Sequence, residues 1–402
     1  MIKVGLFLDT YFPMVDGVIN VVHNYALRLA ADGNYDVTVF VPKCGTKCAD
    51  GFPYKIVRCK SVRFLRTDYS LPLPLLDAKF KKAVKQSNLD IVHIHSPFMV
   101  GSMGVKYAQS RGIPVIATMH SQFEQDFYRA TRSKLLTRFL LKKVMKAFNK
   151  CDEFYGVSPA VSQVFLRYGA SHMPLVLGNG TEMSPVNDRE EAAASVNKRF
   201  NIPSDMPVFI FVGRITILKN VFFLAYALSE LKSKRFKMFF VGDGKDMPAL
   251  KKLILRLGLE ENVIFLGKVT DREQIKTLLC RAKLFLFPSL YDASSLVQQE
   301  AASQSTPTVF LEGAVTASDV TDGVNGFIAP PNPALYAAKI ESILSNGELY
   351  DKVALGAKRD LYRTWDKAVG ELKEEYRRIV NEKFTDSQNF SCGRKKLAEK
   401  SV

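Results

Sequence analysis

The chain has 402 residues, 47% of them hydrophobic and 24% charged, with a formal net charge of +16. That length exceeds a single ordinary core and points to two or three domains, two being the starting expectation, while the apolar content excludes a disordered chain. No run of about 18 apolar residues occurs, which excludes a helical membrane span, and the start Met1–Asp9 lacks the apolar stretch and cleavage site of a secretory signal.

The expected location is therefore cytoplasmic. Cys44, Cys48, Cys59, Cys151, Cys280 and Cys392 are scattered, and the one close pair, Cys44 and Cys48, has no second pair at zinc-ligand spacing, so all six read as reduced thiols. The positive charge favours an anionic partner: nucleic acid, acidic lipid headgroups or phosphorylated substrates. No aromatic-basic recognition motif accompanies it, which counts against nucleic acid.

Short aliphatic or β-branched runs alternate with amphipathic segments, the pattern of βαβ units around a parallel sheet. In the first half strands are expected at Lys3–Asp9, Asp36–Val41, Tyr54–Arg58, Asp90–His95, Pro114–Met119 and Glu153–Val157, with an amphipathic helix from Ile19 to Ala31. The spacing in Thr131–Lys150 predicts a helix with an apolar stripe of Leu136, Leu140, Val144 and Phe148 and a basic one containing Lys134, Arg138, Lys142 and Lys146. Such a helix either lies in an anionic membrane interface or packs its apolar stripe on the sheet with its basic face solvated.

After a polar stretch at 187–192 and the turn-rich 201–207, the alternation restarts, with strands expected at Val208–Val212, Lys237–Val241, Val263–Leu266, Leu284–Phe287 and Thr308–Leu311. The fold class is thus α/β: two Rossmann-like, doubly wound domains facing a central cleft that holds ligands at the carboxyl ends of the strands. The expected divisions are 1–180, 181–345, C-terminal helices over 346–385 packing back across the domains, and a disordered basic tail over 386–402.

Two stretches carry chemistry. The run Phe209–Asn220 leads a buried strand into Gly213-Arg214, with Lys219 five residues beyond Arg214. Glycine permits close backbone approach, and a guanidinium with an ammonium on one loop suits a diphosphate leaving group, although loop Arg and Lys are more often simply solvated. In Phe287–Ala301, Asp292 and Glu300 are separated by seven residues, with a helix expected to begin near Ser294 or Ser295. Its N-terminal amides would face an anion while both carboxylates accept hydrogen bonds from sugar and ribose hydroxyls; the plainer alternatives are an N-terminal helix charge and a solvated helix face.

Together these stretches resemble glycosyltransferase family 4, the retaining family of GT-B fold, over nearly the whole chain. The resemblance implies that Arg214 and Lys219 hold the donor diphosphate, Glu300 the ribose, and Asp292 the hydroxyls of the transferred sugar, with Gly213, Ser295 and Leu296 in the donor loops. It extends to Gly242-Asp-Gly244 and Asn179-Gly180. Asp292 stands where the family has Glu, and Ser295 where it has Gly. In the first half Gly17, after Asp16, takes the place of a glycine-rich loop near the diphosphate, and His120 that of the active-site histidine. His93 and His95 read as core histidines.

The stretches Thr67–Pro74, His95–Phe98 with Gly101, and Met119–Phe127 resemble the membrane-associated branch that glucosylates diacylglycerol. The implied activity is retaining transfer of a hexosyl group, glucosyl by resemblance, from a UDP-sugar to diacylglycerol or a glycolipid at the inner face of the cell membrane. The alternatives are a soluble glycan or polysaccharide acceptor, or a weakly active nucleotide-sugar-binding protein. No bound cofactor is implied, and with no Asp-x-Asp motif in a strand-end loop a divalent metal is not expected to be essential.

Overall fold

The computed structural model describes residues 1–14, 16–43, 51–63, 70–290 and 292–398, without the side chains of 63 and 384–398. Cys44, Cys48, the Thr67–Tyr69 part of the diacylglycerol-like stretch, residues 399–402 and the Cys392 side chain lie outside these. The chain forms two units, Met1–Gly178 with Trp365–Val402, and Asn179–Thr364.

The first unit holds strands β1 (Ile2–Phe7), β2 (Tyr35–Pro42), β3 (Lys55–Cys59), β4 (Ser61–Arg63), β5 (Ser70–Pro72), β6 (Ile91–Ile94), β7 (Val115–Met119), β8 (Glu153–Gly156) and β9 (Leu175–Val176). Between them run helices α1 (Gly17–Ala30), α2 (Ala78–Gln86), α3 (Met99–Arg111), α4 (Phe123–Thr131), α5 (Lys134–Phe148) and α6 (Pro159–Tyr168). Seven strands form a parallel sheet in the order β3-β2-β1-β6-β7-β8-β9, and β4 and β5 form a separate antiparallel pair. The central strands of the sheet are nearly continuous apolar runs because helices cover both of their faces. Residues Ile91–Ile94 are accordingly buried throughout.

The second unit holds α7 (Arg189–Phe200), β10 (Val208–Val212), α8 (Val221–Ser229), β11 (Lys237–Val241), α9 (Met247–Arg256), β12 (Val263–Gly267), α10 (Arg272–Arg281), β13 (Leu284–Phe287), α11 (Leu296–Ser303), β14 (Thr308–Leu311), β15 (Phe327–Ala329), α12 (Pro333–Ser345) and α13 (Gly347–Leu361). Its six strands are parallel in the order β12-β11-β10-β13-β14-β15. In both sheets the first strand of the unit sits where the strand order reverses, at β1 beside β6 and at β10 beside β13. Ligands of open α/β sheets bind at such reversals, off the carboxyl ends of the strands.

The second unit extends to Thr364 instead of ending at 345, and α14 (Trp365–Ala398) returns to the first. Its side chains tie to that unit's elements: Glu375 accepts from the Tyr155 hydroxyl at 2.8 Å, Lys383 pairs with Asp152 at 2.8 Å and Lys373 with Asp32 at 2.7 Å. Residues 386–398, expected as a disordered tail, continue this helix. Their polar composition shows no apolar period, which is why helix was not legible there.

Candidate functional site

In the second unit, β10 delivers Gly213 and Arg214 from its carboxyl end. A Cβ on Gly242 would lie 1.9 Å from the Gly213 carbonyl oxygen, and one on Gly244 would lie 2.2 Å from that of Ile215. The Gly-Asp-Gly motif after β11 therefore exists so that one loop can lie backbone to backbone on the other, sealed by Gly213 N–H to Val241 O at 2.9 Å and Ile215 N–H to Asp243 O at 3.0 Å. Arg214 projects from this braced loop, exposed, with no hydrogen bond or ion pair to the described residues.

Lys219 ends a single 3-10 turn, Ile217–Lys219. Its ammonium pairs with Asp292, in the loop after β13, and the Asn220 side chain adds a bond to Pro288 O at 3.2 Å. Two residues 73 apart in sequence thus meet because β10 and β13 are neighbours. The Lys219 and Asp292 side chains are only 17% and 14% exposed, so the pair is partly shielded from water.

Ser295 caps α11, its Oγ accepting from Gln298 N–H at 3.3 Å. Its φ of −123° and ψ of 110° are ordinary extended values, so the position takes serine in place of glycine without backbone strain. Leu296 opens the helix, half-buried, and Glu300 lies in the second turn, buried. Asn179 joins this site, donating from its side chain to Ser294 Oγ at 3.3 Å and accepting at its carbonyl from Gln299 at 3.0 Å.

Glu300 has a partner that sequence reading missed. Arg272, the first residue of α10, donates to Glu300 Oε1, while Glu300 Oε2 is buried with no hydrogen-bond partner among the described residues. Burial raises the Glu300 pKa and the Arg272 guanidinium opposes that rise. A buried carboxylate oxygen left without a donor is costly and is satisfied when a ligand hydroxyl supplies one. Nothing in the local sequence around Arg272 marks it, because the pairing comes from the packing of α10 beside α11.

In the first unit a cavity of about 220 Å³ opens at the carboxyl ends of β1, β6 and β7, lined by Asp9, Asp16, His95, Ser96, His120 and Phe123 among others. Asp16 caps α1 by accepting from Val18 N–H at 2.8 Å, and a Cβ on Gly17 would meet no atom within 4 Å, so the helix start is open. Asp9 is buried, accepting from Ser96 Oγ and from the Val100 and Gly101 amides at the start of α3. Burial raises its pKa, against those hydrogen bonds.

The three histidines form a row. His93 is fully buried between the Tyr376 hydroxyl at 2.8 Å and Thr118 Oγ1 at 2.7 Å, a core role as expected. His95 lies against it with ring centroids 4.0 Å apart, and its Nδ1 is 3.0 Å from Nε2 of His120. Burial pulls the His120 pKa down to about 3 and those of His93 and His95 well below their usual value, so all three are neutral at physiological pH.

Helix α5 corrects the expected apolar stripe. Thr137, Leu141, Val144, Met145 and Phe148 face the interior, Leu140 is half-buried, and Leu136 is exposed. A second apolar set points outward, with Leu135 79%, Leu136 44% and Phe139 52% exposed, beside Lys134, Arg138, Lys142 and Lys146, all of them exposed. Among the described residues no helix is long and apolar enough to cross a membrane.

Residues 194–360 match the family described as Glycosyl transferases group 1, and residues 15–183 match Glycosyltransferase Family 4. The D-inositol 3-phosphate glycosyltransferase of Salinispora arenicola is 31% identical, over 72% of this chain and 69% of its own. The alpha-monoglucosyldiacylglycerol synthase of Streptococcus pneumoniae is 23% identical over 86% of this chain and 79% of its own. Among solved structures, Anabaena HepE in complex with UDP-glucose is 17% identical, with a TM-score of 0.74, covering 94% of this chain and 99% of that one.

Proposed function

We propose a reaction for a chain that belongs to glycosyltransferase family 4 and has the GT-B fold: retaining transfer of a glucosyl group from UDP-glucose to a hydroxyl of diacylglycerol or a glycolipid at an anionic membrane surface. The observation that carries it is the grouping, at the strand reversal of the second sheet, of cations (Arg214, Lys219) with two acids, Asp292 in the loop after β13 and Glu300 in α11. Arg214 and Lys219 take the diphosphate and Glu300 the ribose through its unpartnered oxygen. Asp292 takes the hydroxyls of the transferred sugar, and Gly213, Ser295 and Leu296 line the donor loops. Gly17 and His120 serve from the first unit.

In a retaining transfer the diphosphate leaves and the acceptor hydroxyl enters on one face of the sugar, while positive charge builds at the anomeric carbon. Fixed positive groups on the leaving oxygen then matter more than a strong base. Arg214 and Lys219 supply two such charges, which makes a divalent ion unnecessary. The glucosyl and lipid parts draw on the Streptococcus relative and its name. Incubation with a panel of radiolabelled nucleotide sugars, a membrane lipid extract and a soluble glycan fraction tests the reading: label from UDP-glucose moves into the lipid fraction. Label that moves only with another donor, or only into soluble glycan, overturns it. The latter is the second reading; the Salinispora relative, of higher identity, is named for a soluble acceptor, D-inositol 3-phosphate, and not for a lipid.

Attachment to the membrane's inner face is assigned to the outward side of α5, where apolar side chains can enter the interface while flanking lysines meet acidic headgroups. Each basic residue near an anionic surface contributes about 1 kcal/mol, screened by salt within about 10 Å at 0.1 M. Replacing Lys134, Arg138, Lys142 and Lys146 by Gln therefore sharply reduces sedimentation with anionic vesicles at low salt and leaves UDP affinity unchanged. Wild-type protein that ignores such vesicles at low salt removes the lipid acceptor in favour of a soluble one.

A further inference from the structure

We propose that His95 is a positioning residue whose Nδ1–H donates to His120 Nε2, fixing His120 as the Nδ1–H tautomer, so that His120 meets its substrate as a hydrogen-bond donor and not as a base. This rests on the reading of His120 as an active-site residue.

The two rings meet at a single nitrogen each, His95 Nδ1 and His120 Nε2, 3.0 Å apart. Both are neutral, so each carries one N–H, and one ring must donate to the other. If His120 donated from Nε2, His95 would have to accept at Nδ1 and carry its own proton on Nε2. That nitrogen is buried and has no hydrogen-bond partner among the described residues. The arrangement would leave an N–H donor stranded in the interior, and orphaned buried N–H groups are rarer than under-used acceptors. The opposite arrangement leaves only a bare nitrogen there. His95 therefore donates.

The rest of the row prevents His95 from turning to escape this choice. His93 is pinned at both nitrogens by Tyr376 and Thr118, and His95 packs against it with the two rings tilted by 33°. The His95 and His120 rings lie nearly parallel, 27° apart, with centroids at 5.3 Å. His120 Nδ1 makes no hydrogen bond with the described residues, and its ring lines the cavity. With its proton fixed on Nδ1, His120 offers that nitrogen only as a donor, suited to an oxygen of a sugar or of the acceptor. Hydrogen bonding of one ring nitrogen thus sets the chemistry of the other.

The test is long-range proton–nitrogen NMR on protein labelled with 15N-histidine, its five histidines resolved at neutral pH, His120 being assigned by its loss in His120→Gln. The expected spectrum shows His120 protonated at Nδ1 and bare at Nε2; a proton on Nε2 overturns the proposal. His95→Asn keeps a short side-chain N–H donor and is expected to keep the tautomer and turn over within about threefold of wild type, whereas His95→Leu is expected to release the tautomer and lower kcat at least about tenfold. Equal losses in the two variants, or an unchanged tautomer in the leucine variant, contradict the positioning role. If the leucine variant does not fold, the wild-type spectrum alone decides. A wild-type spectrum as expected together with undiminished transfer by His120→Gln leaves the tautomer assignment standing and removes the active-site reading of His120.

Discussion

Arg214→Ala lowers kcat/KM for transfer roughly 30- to 1,000-fold, equivalent to about 2 to 4 kcal/mol of transition-state stabilisation, while leaving the thermal midpoint in place. Both parts follow from where Arg214 sits. The backbone loop that carries it is braced by the Gly242 and Gly244 contacts and does not need the side chain, which is exposed and bonded to none of the described residues. A surface side chain of this kind contributes within about 0.5 kcal/mol to folding. Lys219→Ala is expected to lose transfer to a similar degree but also up to about 2 kcal/mol of stability, because it takes a partner from the shielded Asp292 carboxylate. Steady-state kinetics with thermal melts on both variants separate the two effects. Near-wild-type turnover in both contradicts the diphosphate assignment.

Glu300→Ala weakens binding of free UDP roughly 10- to 100-fold, the range expected when a charged acceptor of ligand hydroxyls is removed. The companion variant Arg272→Gln tests the electrostatics. Burial raises the Glu300 pKa and Arg272 holds it back, so removing the guanidinium lets it rise further. Protonation of Glu300 replaces a charged acceptor by a weaker neutral one, so UDP affinity falls as pH falls through that pKa. The Arg272→Gln profile is therefore displaced to higher pH relative to wild type, the titration of the phosphate being common to both. Calorimetric titrations across pH check this: an unweakened Glu300→Ala variant, or superimposed profiles for Arg272→Gln and wild type, contradict the ribose role.

The sheets were legible because parallel strands buried on both faces must be nearly all apolar. Val208–Val212, Lys237–Val241, Leu284–Phe287 and Thr308–Leu311 stand out in the sequence at the same bounds that the structure gives them. The short strands were not legible. Both residues of β9 are exposed and three residues make up β15, too few to show a period. Helical spacing revealed two kinds of face on α5 but could not say which apolar residues the sheet would cover, and it left Leu136 in one stripe with residues that the structure buries.

The candidate site divides the same way. Residues adjacent in sequence to a strand end, such as Gly213, Arg214 and His120, could be located from the strand itself. Pairings across elements could not: Arg272 with Glu300, Lys219 with Asp292, and His95 with His120 each depend on which strands or helices become neighbours. The tolerance of serine at 295 was also hidden, because it depends on a backbone angle and not on residue type.

The most direct measurement of the central claim is the anomeric configuration of the product. UDP-glucose labelled with 13C at the anomeric carbon is supplied with diacylglycerol in anionic vesicles, and the glycolipid formed is read by its one-bond carbon–hydrogen coupling. An α-linked glucosyl lipid, the configuration of the donor, is the result this account predicts. A β-linked product, or label recovered only as free glucose, would contradict it.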